Sequence, residues 1–240
     1  VIDAAGELVF IDSGYAVYAE EMRRIFTDIW PDFERRPKRM YITHADVDHC
    51  GLLSRLKDAR IILNAKSAES LKRQRGGFAD YRENTPLTYG YSQISQIISG
   101  YEPPDDCRFE IMDSETPAHH DHLLLIGRMS VSDIAFDIYE GSGGHLGGEM
   151  IYVNRSLGIL FTGDLFVNIE GFSDEMKEFN ALAPYLMKSV NTDSAKASQM
   201  RSEIIKMAGG ISLANSSPCL IFGGHGPVYA SNFTGKKGDI

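Results

Sequence analysis

Cysteine is scarce in this 240-residue chain: Cys50, Cys107 and Cys219 are odd in number and far apart. That excludes a disulfide framework and suits a reducing compartment. Long apolar runs are missing too. The longest, Leu123 to Ile126 and Ile159 to Phe161, fall far short of a membrane span, and no secretory leader is visible, so a cytoplasmic protein with no membrane partner is expected. Basic excess is also absent, with 24 Lys and Arg against 33 Asp and Glu and a formal net charge of -9. Nucleic-acid binders usually show a basic face, so no nucleic-acid partner is expected. No linker or internal repeat divides the chain, and a single domain over residues 1–240 follows, with no fused electron-transfer module.

What the sequence does have is histidine and aspartate at the ends of apolar runs. In Lys38 to Leu53, KRMYITHADVDHCGLL, Met40 to Thr43 reads as a short buried strand and a helical pattern begins at Leu52. His44, Asp46, Asp48 and His49 therefore occupy the turn between them. In an extended stretch residues 44, 46 and 48 share one side. Unpaired, the two carboxylates repel each other, and a cation removes that penalty. The plain alternative is a polar turn in which Asp48 caps the helix. Three further places have related grammar: His145 in the glycine-rich SGGHLGGEM, Asp164 after the strand-like GILFT, and His225 in LIFGGHGPV.

The ordered set THADVDH, GGHLGG, TGD and GGHG, preceded by GELVFIDSG at Gly6 to Gly14, resembles the metallo-β-lactamase superfamily. The resemblance runs from Gly6 to Val228 and implies an α/β fold: a four-layer αββα sandwich, two mixed sheets face to face with helices outside. It implies one metal held by His44, Asp46 and His145, a second by Asp48, His49 and His225, and Asp164 bridging them. Asp48 would also be the catalytic residue, and Asp12 would orient ligands from behind. The cofactors implied are two divalent transition-metal ions, zinc first and iron or manganese as alternatives. The function implied is a dinuclear hydrolase acting on a small-molecule ester, thioester, lactone or phosphodiester, with a hydroxide shared by the metals as nucleophile.

One position departs from the family pattern, where Asp46 stands for a histidine. Asp46, Asp48 and Asp164 together would put three negative charges on the ions, one more than usual, which favours harder ions such as iron or manganese. A carboxylate at this place is similar to the flavodiiron oxygen and nitric oxide reductases. That gives the alternative reading, a diiron oxidoreductase needing an electron-donor protein. Against it, 95 residues separate His49 from His145, more than that group has. The competence-type nuclease branch shares H-x-D-x-D-H but differs in its later motifs.

Other features are read as structural. Ala118 to Leu125, with His119, His120 and His122, is taken as a surface loop, and Cys50 as packing behind the metal loop. Gly76 to Pro104 is read as irregular, a cover whose Tyr89 and Tyr91 would contact substrate, or else a plain insertion. Helices are expected at Ala19 to Trp30, Leu52 to Lys57, Ser67 to Gln74, Asp174 to Val190 and Ser194 to Met207. Strands are expected at Leu8 to Ile11, Met40 to Thr43, Arg60 to Asn64, Ile134 to Tyr139, Ile151 to Val153, Ile159 to Thr162 and Cys219 to Phe222.

Overall fold

Leu8, Val9 and Phe10 are consecutive and all buried, as are Ile61, Ile62 and Leu63. Runs that are apolar at every position belong in strands covered on both faces, and the fold uses them so. The computed structural model describes residues 1–4, 6–83, 85–112, 118–120, 122–181 and 190–231.

The first half carries β1 (Ile2–Ala4), β2 (Glu7–Ile11), α1 (Ala19–Ile29), β3 (Lys38–Tyr41), α2 (Val47–Cys50), β4 (Arg60–Leu63), α3 (Ala65–Arg75), α4 (Thr85–Ser99) and β5 (Phe109–Ile111). Its strands form a five-stranded sheet in the order β1-β2-β3-β4-β5. β1 runs antiparallel to β2 and the remaining pairs are parallel. The second half carries β6 (Ala118–His120), β7 (Leu123–Val131), β8 (Ile134–Gly141), β9 (Met150–Asn154), β10 (Ile159–Val167), α5 (Asp174–Ala181), α6 (Ser194–Asn215), β11 (Leu220–His225) and β12 (Tyr229–Ala230). These strands form a seven-stranded sheet, β12-β11-β10-β9-β8-β7-β6, in which β10 and β11 are parallel.

The two sheets share a core. Met40, Ile42 and Ile61 from the first pack in one cluster with Met129, Phe136, Ile138 and Tyr152 from the second. On the other face of the larger sheet, Met200, Ile204, Met207 and Ile211 of α6 cover Ile151, Val153, Leu160 and Ile221. The result is the expected four-layer α/β sandwich. Tyr152 donates to the Ile42 carbonyl at 2.9 Å and the Met150 amide to the Thr43 carbonyl at 2.7 Å, stitching the sheets together beside His44. Among the described residues no helix is long and apolar enough to cross a membrane.

Several local expectations change. The helix expected from Leu52 instead starts at Val47, and a 3-10 turn over Gly51–Ser54 follows it. Gly76 to Pro104 is not irregular, because α4 occupies its middle; the Tyr89 and Tyr91 side chains lie outside the described residues. His119 and His120 stand in β6, paired with β7, rather than in a loop. His122 beyond them is exposed, whereas the side chains of His119 and His120 lie outside the described residues. α6 runs on to Asn215, and the Asp193 carboxylate starts it by accepting from the Lys196 amide. The helix expected to reach Val190 is described only as far as Ala181.

Candidate metal centre

All seven side chains singled out in the sequence meet at one edge of the sandwich, where β3, β10 and β11 end and the β8–β9 loop turns. His44 lies just past the end of β3, beyond Ile42, whose amide donates to the Ile62 carbonyl of the neighbouring strand, and Asp46 is extended, with φ -82° and ψ 154°. The chain then enters α2, so Asp48 and His49 lie on a helical turn. The extended alternation expected for 44, 46 and 48 therefore holds only as far as Asp46. Asp48 is inside the helix rather than its cap; Asp46 holds the cap position, and its carboxylate makes no capping bond. That carboxylate is directed into the site instead.

Asp164 lies within β10, past the point where the sequence suggested the strand ends. Irregular pairing between Gly163 and Val167 against β11 lets Asp164 and His225 face the same centre. Two glycines are needed here. A Cβ on Gly163, whose φ is +53°, would lie 2.4 Å from the Thr43 hydroxyl, and one on Gly224 would lie 1.8 Å from Asp164 Oδ1.

The donor atoms fall into two groups. His44, His145 and Asp164 form one, and Asp48, His49 and His225 the other, with the atoms of each within 4.8 Å of one another. Asp164 divides its oxygens between them: Oδ2 is 3.4 Å from His145 Nε2, while Oδ1 is 3.2 Å from His49 Nε2 and 3.4 Å from His225 Nε2. Asp48 Oδ2 is 3.2 Å from His225 Nε2 and 3.7 Å from His49 Nε2. Two donors each about 2.1 Å from a tetrahedral ion stand about 3.4 Å apart, the spacing seen here. His44 Nε2, His49 Nε2 and Asp164 Oδ1 are buried without a hydrogen-bond partner. Such atoms are costly unless something satisfies them. The donor set thus fits a pair of metal ions.

The Nδ1 atoms of His44, His49 and His145 are each held. His49 Nδ1 lies 2.7 Å from the Asp12 carboxylate, which also accepts from the Thr43 amide and hydroxyl at 2.7 Å each. Asp12 has a positive φ of 57°, the backbone turn that directs its carboxylate here. His44 Nδ1 is 3.0 Å from the Thr43 hydroxyl. His145 Nδ1 is 3.0 Å from Asn191 Oδ1, and Asn191 is fixed through Ser194, whose hydroxyl donates to Glu83. These bonds leave Nε2 of each ring turned to the centre. Cys50 packs behind the loop as expected, its thiol donating to the His44 carbonyl.

Electrostatics follow from this crowding. Burial disfavours charge on Asp164, yet His49, His225 and His145 hold its carboxyl well below the usual range. Burial likewise opposes a proton on His49, but Asp12 and Asp164 raise it well above the ordinary value. The Asp164 and Asp48 carboxylates beside it push His225 up to about 10. Burial raises Glu149, four residues beyond His145, to about 8.

Asp46 touches the first group without joining it fully. Its Oδ2 is 3.0 Å from His145 Nε2 and 3.6 Å from His44 Nε2, and its Oδ1 is ion-paired with Arg82. The sequence reading missed Arg82, Asn191 and Thr43. Arg82 also corrects the charge count, since the extra negative charge of Asp46 is met by a guanidinium.

Two openings adjoin the centre. A cavity of about 430 Å³ reaches Asp48, His49 and His225 past Phe10, Phe26, Phe161 and Phe222. A smaller polar crevice is lined by Asp46, Asp48, Gln74, Arg82 and, from α4, Ser92 and Gln96.

Comparison with known proteins agrees with this picture. The family described as the metallo-beta-lactamase superfamily matches residues 1–202. No curated protein matches the sequence. Among solved structures, a metallo-beta-lactamase family protein from Thermus thermophilus aligns over 96% of this chain and 68% of its own, at 13% identity and a TM-score of 0.61. The BLEG-1 B3 metallo-beta-lactamase aligns over 96% and 86%, at 19% identity and a TM-score of 0.52. The dizinc quorum-quenching lactonase AidC aligns over 90% and 67%, at 13% identity and a TM-score of 0.52. At these identities the likeness is one of fold.

Proposed function

Because this chain belongs to the metallo-beta-lactamase superfamily, we propose that it is a metal-dependent hydrolase with a dinuclear centre. His44, Asp46 and His145 would hold one ion, Asp48, His49 and His225 the other, and Asp164 both. The observation that supports this reading best is the division of the Asp164 oxygens between the two donor groups. Two such ions supply Lewis acidity and make bound water acidic near neutral pH.

The protein's own contribution is to aim and to exclude. His44, His145, His49 and Asp164 are at most 5% exposed, so the centre is closed from behind. The open side is formed by Asp46, Asp48 and His225, whose side chains are 19%, 17% and 37% exposed. Substrate enters there. Asp48 sits at this rim and is the carboxylate placed to take a proton as water attacks. The apolar walls of the larger cavity suit an uncharged substituent next to an ester, thioester or lactone; the phosphodiester alternative gains no support from them. That a dizinc lactonase shares the fold puts lactones first in the assay panel.

Asp46 is the one observation that favours a second reading. Its oxygen beside His44 and His145 suits iron or manganese, and a diiron centre would reduce O2 or NO with electrons from a partner protein. Protein reconstituted separately with zinc, manganese and iron, assayed on lactone, thioester, ester and phosphodiester panels, tests the proposal. Hydrolysis of a carbonyl substrate supports it. Reductant-dependent O2 or NO consumption by the iron form, with no hydrolysis by any form, overturns it.

A further inference from the structure

Arg82 reaches the centre from just before α4, and its side chain is 12% exposed. One guanidinium nitrogen is ion-paired with Asp46 Oδ1. The other donates to the backbone carbonyls of His145, at 3.2 Å, and Val190, at 2.6 Å. The Asp46 carboxylate is therefore split, with one oxygen held by Arg82 and the other facing the Nε2 atoms of His145 and His44.

We propose that Arg82 is a positioning residue for the first donor group: it holds Asp46 as a one-armed oxygen donor, and its charge makes the Asp46–Arg82 pair electrically equivalent to the histidine this family has there. The inference rests on the metal reading above. Three physical points support it. A planar guanidinium binds carboxylate oxygen directionally, so it restricts the rotation that would otherwise bring both Asp46 oxygens to one ion. The pair is largely desolvated, where a charge acts at close range with little screening. Arg82 is ion-paired with one Asp46 oxygen while His145 Nε2 lies 3.0 Å from the other, so a cation stands against the carboxylate where its charge is largely buried. Asp46, Asp48 and Asp164 then present two net negative charges rather than three. Substitution of His by Asp has changed the hardness of one donor without changing the charge of the site.

Arg82 also ties the His145 loop to Val190, so a purely structural role must be told apart from one exercised through Asp46. The experiment is a chelator-competition titration of zinc on the wild type, R82Q, D46N and R82Q/D46N, each checked for folding by circular dichroism. R82Q is expected to weaken the first donor group by about 10–100-fold, the size typical of ligand-orienting residues. In the D46N background the same change should cost less than about threefold. In a D46H background its sign should reverse, R82Q tightening zinc by removing a cation no longer matched by Asp46. R82K, which keeps the charge and loses the fork, should fall between and serves if R82Q folds poorly. Equal losses in the wild-type and D46N backgrounds, or no loss in either, overturn the proposal while leaving the dinuclear reading intact. A wild type that takes up no metal overturns both.

Discussion

The Asp12 carboxylate lies 2.7 Å from Nδ1 of His49, although Asp12 directly follows β2 and His49 lies in α2. The same carboxylate binds the amide and hydroxyl of Thr43, which in turn reaches His44. One side chain thus sets the ring orientation of a histidine in one donor group and supports the neighbour of a histidine in the other. Asp12→Asn should lower metal affinity about 10–100-fold while the fold persists, because it weakens the acceptor that fixes the His49 tautomer. Competition titration measures it, and an unchanged affinity contradicts the role.

Gly224 offers a test of Asp164 that leaves Asp164 itself in place. A methyl group there would fall 1.8 Å from Oδ1, so Gly224→Ala must displace the carboxylate or the strand. Metal capacity should fall at least about tenfold, with little change in far-ultraviolet circular dichroism. Full metal binding by this variant would mean that the Asp164 position is not needed.

Glu149 predicts a pH dependence of stability. Burial raises its folded value to about 8, above the 4.5 of the unfolded chain. Between these limits the folded state binds more protons, so this group's contribution falls as pH rises from about 4.5 and the loss is complete above about 8. Relative to the wild type, Glu149→Gln should gain nothing at pH 4 and on the order of 3–5 kcal/mol by pH 8. Urea unfolding of the metal-free proteins across this range checks it, and a difference independent of pH would contradict it.

Metal uptake should release protons. In the metal-free state His225 titrates at about 10 and His49 well above its ordinary value, yet both must be neutral to bind an ion. Filling the second donor group at pH 7 should therefore expel about two protons. Without metal, the stability that charged His225 confers is complete below the unfolded value and lost as pH rises through 10. Calorimetry in buffers of different ionisation enthalpy counts the protons; a count near zero would contradict these assignments.

Local clusters were legible in the sequence, and contacts across the fold were not. His44, Asp46, Asp48 and His49 lie within six residues, and Asp164 and His225 each come after an apolar run, so their types and positions point to one centre. Arg82 lies 36 residues from Asp46 in a stretch with no clear period, and only the folded chain brings it back. Asn191 is 46 residues from His145 for the same reason. α4 did leave a signal that was passed over: Pro86 falls in its first turn, and Gly100, with φ 61°, directly follows its last residue. The start of α2 at Val47 had none, since a one-turn helix leaves no apolar period to read.

The account turns on Asp164 serving two ions. Metal-free protein titrated with zinc, with bound equivalents counted by elemental analysis after desalting, tests that most directly. The wild type should bind two equivalents per chain and Asp164→Ala should retain neither tightly. A wild type that saturates at one equivalent, or an Asp164→Ala variant that still holds two, would contradict it.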